Sequence, residues 1–276
     1  MITPTTSVYC VIGNPVSQSL SPILHNRAFS HTGYDGVYVA FPVSDIQSAI
    51  AGVKAMGIKG ASVTIPHKTA LIPLLDEIDP LALKIGAVNT LVNRNGRLWG
   101  GNTDCIGAVR ALSEKTDIAG KTVCILGAGG AARAVGFGVI SKGGRVMVAN
   151  RTPVTGEALA KALDSEFCPL SDIRRHPFDI LINTTSVGMT PRIDVSPVSA
   201  DVLRPELVVM DIVYNPLRTK FLEMARNLGC ITVDGAAMFI YQGAAQFELW
   251  TGKPAPVAVM AETVRAALER IQKMRT

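Results

Sequence analysis

The chain has 276 residues, 48% hydrophobic and 18% charged, enough for a substantial core in one large or two ordinary domains. That balance excludes a disordered or fibrous chain, and no apolar run reaches the roughly 18 residues a membrane-spanning helix needs. The net charge of +5 comes from lysines and arginines scattered singly, which gives no basic patch for nucleic acid.

The first strand pattern is Val8 to Ile12, a second runs from Gly36 to Phe41, and a third from Ser62 to Ile65. Ser44 is the expected cap of a helix with apolar residues at Ile46, Ala49, Ile50 and Val53. Asp79-Pro80 opens another helix, with proline in the first turn where its missing N–H does no harm. Asn95-Gly96, between Thr90-Leu91-Val92 and Arg97-Leu98-Trp99, signals a hairpin. Asp117 to Lys121 reads as a connection into a second domain. There, Thr122 to Leu126, Arg145 to Ala149, Asp179 to Asn183, Leu207 to Val213 and Ile231 to Val233 are strands of a small doubly wound sheet. Helices are predicted for Ala236 to Trp250 and Pro256 to Met274. The second carries Val257, Ala261, Val264, Leu268 and Ile271 on one face, so it should pack back on the first domain. The fold class is therefore α/β with two domains, an N-terminal domain over 1–104 completed by 241–276, and a Rossmann-like domain over 105–240.

Gly127-Ala128-Gly129-Gly130-Ala131 follows a strand and opens a helix, the arrangement that aims backbone N–H groups at a phosphate. The next strand ends in Asn150-Arg151-Thr152. A cation where an NAD site places an acidic residue suits a 2′-phosphate, which favours NADP. The domain that precedes these glycines should hold the substrate.

Other clusters lie at predicted strand ends, where ligands of open α/β sheets bind. Ser19 and Ser21 would face one side of an extended segment and hold a carboxylate, or Ser21 alone would cap a helix starting at Pro22. Lys68, after Val63-Thr64-Ile65-Pro66-His67, is either a solvated surface cation or, held in a cleft, a proton-transfer group. Asp104 lies beyond Gly101-Asn102-Thr103 and would cap the helix from Cys105 to Ser113 or serve the site. Tyr214 and Gln242 can hydrogen-bond hydroxyls but are ordinary residues at such places. Cys10, Cys105, Cys124, Cys168 and Cys230 form no Cys-x-x-Cys, and the histidines lack ligand spacing. This reads as a reduced, cytoplasmic protein without a metal site. The first residues lack the basic start and apolar core of a signal peptide.

Taken in order, these motifs resemble the NADP-dependent shikimate dehydrogenases of the shikimate/quinate dehydrogenase family. The resemblance rests on Gly13-Asn14-Pro15, Ser19-Leu20-Ser21-Pro22, Val63 to Lys68, Gly86-Ala87-Val88-Asn89-Thr90, Gly101 to Asp104, Gly127 to Ala131 and Asn150-Arg151-Thr152. It continues through Asn183 to Met189, Asp211 to Pro216, and Tyr241-Gln242-Gly243-Ala244. It implies reversible NADPH-dependent reduction of 3-dehydroshikimate to shikimate. Lys68 and Asp104 would be the catalytic pair, and Ser19, Ser21, Thr64, Asn89, Asp104, Tyr214 and Gln242 the substrate ligands, the serines taking its carboxylate. Gly127, Ala128, Gly129, Gly130, Ala131, Asn150, Arg151, Thr152, Ile212 and Gly235 would line the cofactor. The alternative is a quinate/shikimate enzyme with relaxed substrate or cofactor choice. One departure stands out: family members often carry a second basic residue shortly after the arginine, and Pro153 to Gly156 supplies none. No membrane or nucleic-acid partner is implied, and monomer and homodimer remain equally open.

Overall fold

The computed structural model describes residues 2–274. They divide into two compact units. The first runs to Thr103 and resumes over Gln242–Ala267; the second comprises Asp104–Tyr241 and the chain from Leu268 on.

The first unit contains β1 (Ser7–Gly13), α1 (Ser21–Thr32), β2 (Gly36–Pro42), α2 (Ile46–Ala55), β3 (Gly60–Val63), β4 (Glu77–Ile78), α3 (Pro80–Ile85), β5 (Thr90–Arg94) and β6 (Arg97–Gly101). Its sheet has the order β2-β1-β3-β5-β6-β4. The strands β1, β2 and β3 are parallel, while β5 runs antiparallel to β3 and forms the hairpin with β6. Asn95 and Gly96 both take positive φ, 54° and 90°, as a two-residue turn between right-twisted strands requires. Alternation along β1 separates two layers. Cys10 and Ile12 join Ile50, Val53, Val63, Leu91 and Leu98 in one buried cluster. On the other side Tyr9 packs against Phe29 and Trp250, ring centroids 5.2 Å apart in each pair.

The second unit contains α4 (Thr103–Ser113), β7 (Thr122–Leu126), α5 (Gly130–Ser141), β8 (Arg145–Asn150), α6 (Pro153–Ala162), β9 (Glu166–Pro169), β10 (Ile180–Asn183), β11 (Val208–Asp211), α7 (Lys220–Asn227) and β12 (Ile231–Val233). Two long helices follow, α8 (Gly235–Thr251) and α9 (Val257–Lys273). All strands are parallel, in the order β12-β11-β10-β7-β8-β9. The chain winds outward from β7 through β8 to β9, then returns to β10 on the opposite side of β7. The reversal places a ligand crevice beyond the carboxyl end of β7.

Several local expectations are corrected. The cap of α2 is Asp45, not Ser44, because its carboxylate reaches the N–H groups of both Gln47 and Ser48. β3 stops at Val63, leaving Thr64 and Ile65 outside the strand. β9 was not anticipated from its four residues, which end in proline. On α9 the fully buried positions are Met260, Val264 and Leu268, four apart, while Val257, Ala261 and Ile271 lie at the margins. Among the described residues no helix is long and apolar enough to cross a membrane.

Candidate functional site

Four separate stretches of chain meet at one edge of the first sheet. β1 and β3 end there, β6 ends there antiparallel to β5, and β5 starts there. Main-chain bonds fix the segments that emerge. Asn14 N donates to Ile65 O at 2.8 Å, Thr64 N to Ile12 O at 3.0 Å, and Val63 N to Asn89 O at 2.8 Å. Val88 N donates to the Lys68 carbonyl at 2.8 Å, so the backbone of Lys68 is held. Lys68 is intermediate in exposure.

Ser19 and Ser21 reach this edge differently from the extended segment expected. Leu20 has helical backbone angles and α1 starts at Ser21 itself, so Ser21 is not a cap. The two residues still meet, since Ser21 N donates to Ser19 Oγ at 3.3 Å. Asp104 is no cap either, because α4 begins one residue earlier. The first N–H of that helix, on Thr103, is instead satisfied by Asn89 Oδ1 at 2.7 Å. Gln242 is placed by α8. Trp250 Nε1 donates to Leu91 O at 2.8 Å, and one turn earlier Gln246 Nε2 reaches Thr90 Oγ1 at 3.0 Å. A further turn back carries Gln242 past the start of β5, to the edge that Asn89 and Thr64 occupy. Gly60 allows this approach, since a Cβ there would stand 2.3 Å from the Trp250 indole nitrogen. Ser19, Ser21, Thr64, Lys68, Asn89 and Gln242 all lie in the first unit, where main-chain bonds join the segments of Thr64, Lys68 and Asn89. Asp104 and Tyr214 belong to the second.

In the second unit the glycine loop lies at the carboxyl end of β7. Gly127 has φ +110°, and a Cβ there would stand 2.9 Å from Thr184 Oγ1 and Thr185 Cγ2. Gly129 caps α5 with no side-chain bond to the first-turn N–H groups. Above Gly129 and Gly130 nothing lies within 4 Å of an added Cβ. Free first-turn donors, the positive helix end and a space that side chains would fill together suit a pyrophosphate. Ala128 and Ala131 flank these glycines and are half-buried.

At the tip of β8, Asn150 Nδ2 donates to Thr152 O at 2.9 Å and Thr155 Oγ1 at 2.8 Å, which sets the turn carrying Arg151. Arg151 lines a cavity of about 470 Å³ together with Ser171, Arg174, Ser199 and Asp201. Arg174, paired with Asp201, is thus a second arginine on the cavity that Arg151 lines. It lies after β9, an edge strand invisible in the sequence pattern, so spacing from Arg151 gave no sign of it.

Beyond β11, the fully buried Asp211 carboxylate accepts from Asn183 Nδ2 and Val213 N, both at 3.0 Å, and from Thr219 Oγ1 at 2.7 Å. It fixes the loop bearing Ile212 and Tyr214, whose ring stacks on Phe239 at 4.9 Å. Gly235 is required by the main chain, since a Cβ would lie 2.5 Å from Val213 O and 2.6 Å from Ile212 O. Burial pushes the Asp211 carboxyl up to about 6, the three donors acting in the opposite sense. The folded state therefore holds this proton more tightly than the unfolded chain does. Its contribution to stability is full below the unfolded value near 4 and is lost as pH rises through about 6. The loss is on the order of 3 kcal/mol across that window. The stability difference between the parent and Asp211→Asn, measured by denaturant unfolding from pH 4 to 7, should follow that slope. A flat difference would exclude it.

Among the described residues no group of three or more His, Cys, Asp or Glu side chains could hold a metal ion. A glycine turn with no side-chain cap bond at the switch point of a doubly wound sheet, followed by a cation at the next strand tip, defines a dinucleotide-dependent dehydrogenase architecture. The preceding unit carries the polar sheet edge.

Comparison with known proteins narrows the class. The family model described as shikimate dehydrogenase substrate binding domain matches residues 11–91. Shikimate / quinate 5-dehydrogenase matches 110–221, and shikimate 5'-dehydrogenase C-terminal domain 235–265. The chain is 48% identical to the shikimate dehydrogenase (NADP(+)) of Moorella thermoacetica, over 96% of this chain and 94% of that protein. A crystal structure of a shikimate dehydrogenase in complex with NADP+ superposes with a TM-score of 0.94 at 44% identity, covering 97% of this chain and 98% of that one. The Thermus thermophilus shikimate 5-dehydrogenase in complex with NADP(H) and shikimate gives 0.88 at 37% identity, covering 95% and 100%. The chain belongs to the shikimate dehydrogenase family.

Proposed function

We propose that this chain catalyses the reversible NADPH-dependent reduction of 3-dehydroshikimate to shikimate, a step of aromatic amino-acid (chorismate) biosynthesis. The observation that supports the reading is the main-chain joining of the Thr64, Lys68 and Asn89 segments at the sheet end where β1 and β3 finish; Ser19, Ser21 and Gln242 join them in this reading. A small polyhydroxylated carboxylate suits such an edge, with the two serines on the carboxylate and Thr64, Asn89 and Gln242 on ring oxygens. Asp104 and Tyr214 complete the substrate set in this reading. NADPH supplies the hydride when bound, and the residues that would hold it are Gly127 to Ala131, Asn150 to Thr152, Ile212 and Gly235, with Arg174 beside Arg151.

As the carbonyl carbon gains hydride, its oxygen gains charge and takes a proton from Lys68. In the reverse direction the Lys68 amine accepts the hydroxyl proton. Asp104 anchors an adjacent hydroxyl and steadies the ammonium by a charge-assisted bond. In this reading the substrate domain is 1–104 with 241–276 and the cofactor domain 105–240, although Asp104, Tyr241 and the chain from Leu268 on cluster with the second compact unit; the chain acts as a monomer or homodimer. The buried cysteines fit a cytoplasmic setting, where thiols stay reduced.

The second reading is a quinate-oxidising enzyme, favoured by the breadth of the family model over 110–221. Initial rates with shikimate or quinate, each with NADP+ or NAD+, separate the two. The shikimate/NADP+ pair should give the highest kcat/KM, and a higher value for quinate with NAD+ would reverse the assignment.

A further inference from the structure

Behind Asn89 a buried chain of polar groups runs back to the aromatic layer of the first unit. Tyr38 Oη donates to Ser62 Oγ at 2.6 Å, and Ser62 Oγ donates to Gln246 Oε1 at 2.9 Å. This sets the Gln246 carboxamide, whose Nε2 then donates to Thr90 Oγ1 at 3.0 Å and Asn89 O at 3.4 Å. Thr90 Oγ1 in turn donates to Asn89 Oδ1 at 2.7 Å, the shorter of its two hydroxyl-side contacts. The Thr103 N–H reaches the same oxygen at 2.7 Å, and the Thr103 hydroxyl at 3.2 Å. His25 Nε2 lies 3.4 Å from Gln246 Oε1, and burial pushes that imidazole down to about 3, so it is neutral at physiological pH. Thr90 Oγ1 also lies 3.0 Å from Thr103 Oγ1, so the two threonine hydroxyls meet each other as well as the Asn89 oxygen. At its end Asn89 Oδ1 is saturated and the amide nitrogen is the end presented to the sheet edge.

We propose that Thr90 and Gln246 are positioning residues for the reaction: they lock Asn89 as a hydrogen-bond donor, so that it meets a lone pair on a substrate ring oxygen. The proposal rests on the functional reading above. Neither residue touches substrate in this scheme, and both reinforce the amide orientation that the Thr103 N–H favours at Asn89 Oδ1. An amide free to flip spends part of its time presenting an acceptor, and affinity for the substrate falls accordingly.

The direct test is Thr90→Val, which keeps shape and removes the relaying hydroxyl, beside Thr90→Ser, which restores it. Thr90→Val should raise the KM for shikimate about tenfold, the scale of one lost hydrogen bond. Its kcat and its KM for NADP+ should stay within about twofold, and Thr90→Ser should match the parent within the same margin. A merely structural role would instead lower the melting temperature and the active fraction and leave the shikimate KM alone. That outcome in the folded variant overturns the proposal. If Thr90→Val does not fold, Ser62→Ala removes only the donor that orients Gln246, and should raise the same KM roughly threefold; no change there also overturns it. Should the parent chain oxidise no shikimate with either cofactor, the functional reading fails separately. The relay is then judged in the ligand-free chain from the Asn89 side-chain amide resonances, which must move in Thr90→Val and not in Thr90→Ser. Resonances that stay in place overturn the relay.

Discussion

Replacing Lys68 by alanine should lower turnover by roughly 10²- to 10⁴-fold while the KM for shikimate changes only a few-fold. The asymmetry follows from where Lys68 sits. Its backbone is held by Val88 beside the segments of Thr64 and Asn89, and the residue is only partly exposed. Ground-state binding is spread over several hydroxyls and amides and survives the loss of one group. Proton transfer to the developing alkoxide is not shared, because no other side chain in the set offers a mobile proton at neutral pH. Arginine at position 68 keeps the charge but cannot cycle the proton, so Lys68→Arg should lie close to the alanine variant in turnover. Stopped-flow measurement with saturating NADP+ reads the chemical step directly. Full turnover in Lys68→Ala would remove the proton-transfer role.

The second large effect concerns cofactor choice. Arg151→Ala should raise the KM for NADPH by about ten- to a hundredfold and leave that for NADH nearly unchanged, the range of one or two charge-assisted bonds to a 2′-phosphate. Arg174→Ala should act in the same direction more weakly, because Asp201 already balances much of its charge. Calorimetric titration with NADP+ and NAD+ reads binding independently of turnover. Equal losses for both nucleotides in Arg151→Ala would show that the arginine meets some other part of the cofactor.

Much of this arrangement was legible in the sequence because it is local. The hairpin at Asn95-Gly96, the Asp79-Pro80 helix start and the glycine turn after β7 each depend on a few adjacent residues whose backbone preferences settle the matter. What stayed hidden depends on pairing across distance. Asn89 serves a helix that starts at Thr103, and Gln246 reads as one more polar residue on a helix until β5 is laid beside it. Ser21 was misjudged for a related reason: a serine before Pro22 looks like a cap, but the helix takes it in, and Ser19 receives its N–H. Arg174 gives no local signal because the edge strand before it has only four residues and ends in proline, too short to show a period.

The cysteines give the molecule a built-in reporter. All five thiols are buried, and only Cys10 belongs to the first unit, the other four to the second. Burial pushes the Cys10 thiol up to about 12, so both shielding and protonation make it unreactive while β1 is in place. Alkylation at Cys10 therefore proceeds only through opening of the first unit, and alkylation at the fully buried Cys124, whose thiol burial also pushes up, only through opening of the second. Peptide mapping of a slow labelling time course would time the breathing of the two units separately in the unmodified protein, and a bound ligand would protect chiefly the unit on which it sits.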